Sequence, residues 1–244
     1  MGPRGPPAAL EICAARSSVD PPGGIGDTAG VRTPALLLAL LLAACGRSER
    51  PAASAPAKPI AAPSSRETAQ CHVDLNREGV RFSILPDKDF GGGCGIVGTV
   101  QLIDIGVPVT NLKAVRCGEA LTFTRWVRNA VAPAAFQMLG SELVRVDSMG
   151  SYACRNVVGS SRAAGRRSGH AIANAIDIAG FTLRDGRRIT ILRDWKSPDP
   201  DVRRFVKTIH ASACRRFGTV LSPDYNAAHR DHLHLEDDRA RFCR

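Results

Sequence analysis

The chain has 244 residues, room for one large domain or two small ones, and an apolar content of 44% excludes a wholly disordered polypeptide. Its formal charge of +10 would by itself point to an anionic partner. Only five of the 33 cations are lysines, however, and the pairs Arg166-Arg167, Arg187-Arg188, Arg203-Arg204 and Arg215-Arg216 are dispersed, with no interleaved aromatics to stack bases. Nucleic acid is therefore not an expected partner.

Residues 1–30 are Gly/Pro-rich, carry Asp20 and Asp27, and read as a doubtful extension ahead of the working start, for which Val31 is well placed. From Ala35 to Ala44 the run ALLLALLLAA is ten residues long, about half of the roughly 20 needed to span a bilayer. Arg32 before it and small residues at its end make 31–44 a secretory signal peptide. Leu42-Ala43-Ala44-Cys45 resembles the lipobox of bacterial lipoproteins, which would leave Cys45 as a lipidated N-terminus. The following stretch, 45–66, is rich in Pro, Ala and Ser without apolar periodicity and reads as an extended tether. The expected location is the periplasm, as a membrane-anchored lipoprotein, with Gly46 favouring the outer membrane.

Six further cysteines remain: Cys71, Cys94, Cys117, Cys154, Cys214 and Cys243. No CxxC occurs among them, so three disulfides in an oxidising compartment are expected rather than a zinc ribbon. Sequence alone allows 15 pairings; nearest neighbours along the chain would give Cys71–Cys94, Cys117–Cys154 and Cys214–Cys243.

Short strands are expected at 80–85 and 97–102, around the loop Phe90-Gly91-Gly92-Gly93-Cys94-Gly95. That loop lacks a P-loop ending and reads as a turn. Apolar residues recur every three to four from Glu119 to Leu139, predicting a core-facing helix that Pro133 kinks or splits. Strands follow at 143–147, 174–181, 188–192 and 232–236, with a helix over 199–217. The predicted fold is α+β, an antiparallel sheet with flanking helices over 67–244.

Three of the six histidines fall in His229-Arg230-Asp231-His232-Leu233-His234. On a strand His232 and His234 share one face while Leu233 and Leu235 take the other. A fourth lies in Ser168-Gly169-His170, seven residues before Asp177, whose strand neighbours Ile176 and Ile178 face away from it. Two histidines and a carboxylate from separate segments are the ligand set of a catalytic zinc site that keeps a position for water. Asp231 is an alternative candidate for a base, ranked lower because strand alternation turns it away from His232 and His234, and Glu236, on the correct face, is a further outside candidate. His72 and His210 are expected to have no catalytic part, and Trp126 and Trp195 to be core or groove-wall residues.

Ser168-x-His170-x6-Asp177 with the distant His232-x-His234 resembles the zinc D,D-peptidases that cleave peptidoglycan peptides, a group that includes the hedgehog signalling fold. The resemblance implies His170, Asp177 and His234 as ligands of one zinc ion and His232 as base. It further implies Arg155 and His229 for developing negative charge, and Ser168 as a residue of the ligand loop and substrate side. Tyr225 and Asn226, in the loop before His229, would line a substrate groove. With Trp126, GSYACRN, GHAIANAIDIAGF, Asp194-Trp195 and SPDYNAAHRDHLHL, residues 70–243 resemble more closely still the bacterial extensin-like C-terminal domain family. One departure is Ala173, where the peptidase motif has Gly. The function implied is an exported, lipid-anchored zinc peptidase acting on peptidoglycan peptides; the alternative is a non-catalytic envelope lipoprotein binding peptidoglycan or a glycan.

Overall fold

A computed structural model describes residues 62–159 and 161–244. The expected signal peptide, Cys45 as the expected lipidation site, and all but the end of the expected tether lie outside the described residues. Helix α1, Ser65–Arg77, begins two residues inside the stretch read as tether. Ser64 caps it: its hydroxyl accepts from the Glu67 backbone N–H, and the Glu67 carboxylate accepts from that of Ser64. This reciprocal box satisfies two otherwise orphaned donors.

Strand β1 (Arg81–Ile84), the hairpin β2 (Lys88–Gly91) and β3 (Cys94–Ile96), and β4 (Thr99–Asp104) follow. Gly91, Gly92 and Gly93 all have positive φ, which explains the glycine run at this turn. β5 (Val109–Thr110) and β6 (Val115–Arg116) precede α2 (Cys117–Trp126), a π turn over Val127–Val131 and α3 (Ala132–Leu139). The helix expected over 119–139 is thus split six residues ahead of Pro133, whose ring and missing N–H cannot continue a regular turn.

The remaining elements are β7 (Leu143–Gly150), β8 (Ala175–Leu183), β9 (Arg188–Thr190), α4 (Ile191–Asp194), α5 (Pro200–Cys214), β10 (Thr219–Leu221), β11 (Leu233–Glu236) and β12 (Phe242–Cys243). The strand expected over 188–192 stops at Thr190, whose hydroxyl accepts from the Arg193 N–H and starts α4 instead. Asp199 caps α5 through the N–H groups of Asp201 and Val202. The main sheet runs β12-β10-β11-β8-β7-β5, with β9 beside β8, and is antiparallel except for the pairs β12–β10 and β5–β7. The fold is therefore mixed α+β, with helices flanking antiparallel sheet. One face of β8 and β11 buries Ile176, Ile178, Leu233 and Leu235 in the same core as Trp126, Phe181 and Phe205. The opposite face of the same strands is left for polar chemistry.

The six cysteines form three disulfides, but with pairings Cys71–Cys117, Cys94–Cys154 and Cys214–Cys243. Only the last follows the nearest-neighbour pairing. The first joins α1 to α2, and the second ties the β2–β3 hairpin to the segment after β7, so packing rather than chain proximity chooses the partners. Among the described residues no helix is long and apolar enough to cross a membrane.

Glu119, on α2, is fully buried. Burial, reinforced by the negative charge of Asp237 and opposed by the Asp237 backbone N–H, pushes its carboxyl well above the ordinary carboxylate range. Stability from keeping it neutral is complete below the ordinary value of 4.5 and is lost as pH rises through the folded value. Glu119→Gln, which cannot ionise, is expected to remove that loss. Urea midpoints at pH 5 and pH 8 should then differ less in the variant than in the wild type.

Candidate metal centre

β8 and β11 pair antiparallel so that His234 lies directly opposite Asp177, flanked by the buried couples Leu233–Ile178 and Leu235–Ile176. The apolar alternation locks the register, because a one-residue slip would turn both polar side chains into the core. His170 arrives from a short 3₁₀ turn, Gly169–Ile172, whose start is capped by the Ser168 hydroxyl accepting from the His170 backbone N–H. The three side chains meet: His170 Nε2 is 3.1 Å from Asp177 Oδ2 and 3.1 Å from His234 Nδ1, which is 3.0 Å from Asp177 Oδ1. All three residues are buried.

Their outer partners decide which ring nitrogens hold protons. His170 Nδ1 is 3.0 Å from the Ser151 carbonyl, an acceptor only, so Nδ1 carries hydrogen and a neutral His170 turns its Nε2 lone pair inward. His234 Nε2 is 3.3 Å from Glu236 Oε2, which in the same way leaves its Nδ1 lone pair inward. Two imidazole lone pairs and a carboxylate thus converge on one point with no donor between them, the arrangement a cation completes. Without a cation the cluster holds a proton. Burial alone would lower the pKa of His234, but hydrogen bonds to Asp177 and Glu236 outweigh it and lift it to about 9. Burial likewise opposes ionisation of Asp177, and the hydrogen bonds from His170 and His234 win and hold its carboxyl far below the usual range.

His232 stands at the edge of this cluster, its Nε2 3.5 Å from Asp177 Oδ1. Asp231 does not point away: its Oδ1 lies 2.9 Å from His232 Nδ1. The strand begins only at Leu233, so alternation does not govern residues 231 and 232. His229 Nδ1 is 2.7 Å from Asn226 Oδ1, an oxygen that also accepts from the Ala228 N–H, so His229 Nδ1 is the donor. Burial, then the neighbouring His234 and His232, pull the His229 pKa down to about 4. Arg155 Nη2 lies 3.9 Å from Asp177 Oδ2 with its side chain partly exposed.

A cleft of about 790 Å³ opens beside the cluster, lined among others by Arg155, Ser168, Tyr225, His229 and His234. Asn226 is not in its wall; its amide instead holds His229 and donates to the Gly159 carbonyl. Trp195 donates to Asp224 and carries Lys207 over its ring, anchoring the loop that leads to Tyr225. His72 stacks near Phe82, and His210 sits against the Cys214–Cys243 disulfide, both apart from the cluster.

Ala173 adopts the left-handed conformation with φ of 55° at the end of the His170 turn. The glycine expected there is thus replaced at a modest backbone cost, on the order of 1–2 kcal/mol, and the three side chains still converge. Gly169 is stricter, because a Cβ there would run into the Glu236 carboxylate. Gly169→Ala is expected to push Glu236 off His234 and weaken zinc binding about 10–100-fold. A chelator competition should show this with the melting temperature of the metal-free protein little changed.

Glu236, expected on the correct face as an outside candidate for a base, stands as the outer partner of His234. The contributor without a sequence signature is the Ser151 carbonyl.

The fold and cluster together define a disulfide-stapled α+β domain carrying a buried two-histidine, one-carboxylate site at the lip of a cleft. The model of the family described as extensin-like protein C-terminus matches residues 69–244, and the chain belongs to that family. Neither the curated proteins nor the solved structures contain a match to this chain.

Proposed function

We propose that the protein is an exported, lipid-anchored zinc peptidase acting on peptide bonds of peptidoglycan. The observation that carries this reading is the inward turn of His170 Nε2, His234 Nδ1 and Asp177, enforced by Ser151 and Glu236, beside an open cleft. His170, Asp177 and His234 would hold the ion. Zinc, when bound, supplies Lewis-acid polarisation of a carbonyl and of water.

The chain's own residues do the rest. Asp231 fixes the Nδ1–H of His232, leaving Nε2 at the edge of the cluster to take a proton from water and return it to the leaving amine. Arg155, held only loosely by Asp177, is free to face developing negative charge. A neutral His229 with its hydrogen on Nδ1 offers a lone pair at Nε2, so its place in the cleft suits acceptance of a hydrogen bond rather than the oxyanion role.

The lipid at Cys45 and the tether would set reach toward the polymer from the membrane. Digestion of purified muropeptides by zinc-loaded protein tests the proposal: new amine ends that disappear with chelator are expected. Binding without digestion would overturn it in favour of a non-catalytic envelope lipoprotein.

A further inference from the structure

We infer that the Cys214–Cys243 disulfide is a thiol-exchange site, opened by a small thiol that carries carboxylates. It stands apart from the metal centre and does not depend on the peptidase reading. The bond ties the last residue of α5 to β12, and both cysteines line a hollow of about 690 Å³. Four arginines, Arg215, Arg216, Arg239 and Arg241, share that lining with one carboxylate, Asp238. Asp238 is already engaged, accepting from the Thr219 hydroxyl and the Ala240 N–H. Arg215 and Arg241 are exposed and have no hydrogen-bond or ion-pair partner among the described residues. A wall with this excess of positive charge draws in an anion and favours the thiolate over the thiol.

His210, which takes no part in the metal centre, supplies the second element. Its Nε2 lies 3.6 Å from Cys214 Sγ and 3.7 Å from Cys243 Sγ. Burial, then the Lys207 charge, hold its pKa below the ordinary histidine value, so the ring is neutral. Disulfide sulfurs can only accept, so Nε2 is the donor. Whichever sulfur leaves as thiolate, the same N–H meets it. The other two bonds offer a poorer exit. Cys71 and Cys117 are both buried, and in Cys94–Cys154 the exposed residue is Cys154, which leaves buried Cys94 to depart as a desolvated thiolate.

In the exchange the incoming thiolate bonds to one Sγ while the Cys214–Cys243 bond breaks and its electron pair leaves on the other Sγ. A second thiolate then attacks the mixed disulfide at the incoming sulfur and releases the remaining cysteine. Two thiols are thereby oxidised to a disulfide, and their two protons pass to Cys214 and Cys243. β12 pairs with β10 alone and sets Phe242 in the wall of the cleft, against Tyr225. Opening the bond removes the covalent tie of that wall.

Native full-length protein is treated with glutathione, an acidic thiol, or with cysteamine, a cationic one; free cysteines are then trapped by alkylation and mapped by peptide mass. Cys214–Cys243 is expected to open ahead of the other two bonds, and about tenfold faster with glutathione than with cysteamine per thiolate present. Arg215→Gln and Arg241→Gln together, both at exposed positions, should bring the two rates within about threefold with the melting temperature unchanged. His210→Ala should slow both thiols about tenfold and keep the preference between them. Equal rates with the two thiols, another bond opening first, or no opening without denaturant would each overturn the inference.

Discussion

Elemental analysis of the purified protein is expected to find about one zinc per chain, and His170→Ala, Asp177→Ala or His234→Ala to lose it. Structural zinc sites bind with about 10–16 kcal/mol over four ligands, roughly 3 kcal/mol per ligand. Each deletion should therefore weaken binding more than a hundredfold. Asp177→Asn serves as control, since alanine leaves two buried imidazoles without their acceptor while asparagine keeps the shape. The pH dependence has a defined sign. Without metal His234 holds a proton up to about pH 9, and zinc must displace it. Apparent affinity should then rise about tenfold per pH unit from pH 7 and level off near pH 9, with proton release on binding measurable in buffers of different ionisation heat. Failure of the wild type to take up zinc would remove the metal reading.

His232→Ala is expected to retain zinc yet lower cleavage by about 10²–10⁴-fold, the contribution of a positioned general base. Retention follows from geometry, because its closest approach to the ligand set is the 3.5 Å contact with Asp177, at the edge of the cluster. Asp231→Asn removes the carboxylate that orients the ring and should cost about 10–100-fold in kcat, again without loss of metal. A His232→Ala protein that loses zinc in parallel with activity would reassign His232 to the ligand set. Unchanged cleavage in both variants would leave His229, whose lone pair faces the cleft, as the base to test next.

Particular elements show why parts of the fold were legible. The buried positions Val202, Phe205, Val206, Ile209 and Ala213 follow the helical spacing of α5, because a helix on a sheet buries one stripe. The alternation around Asp177 and His234 survives intact, since their apolar neighbours have one core to enter. Where local signals competed, the boundaries moved. Thr190 offered a helix cap inside an apolar run and ended β9 early, and the Ser64–Glu67 box started a helix in what composition alone made a tether.

Sequence by itself determined the side-chain inventory: a strand whose core-facing leucines leave His234 on the other face, a histidine seven residues ahead of Asp177, and six cysteines outside any zinc-ribbon spacing. Tertiary structure alone decided who meets whom. Asp177 faces His234 because β8 and β11 are neighbours in the sheet, although 57 residues separate them in the chain. Cys71 finds Cys117, and Cys94 finds Cys154, because packed elements bring them together across 46 and 60 residues. The Ser151 carbonyl orients His170 through a backbone atom that every residue carries. Such contacts depend on distance in space, and side-chain periodicity records only which face a residue turns to the core.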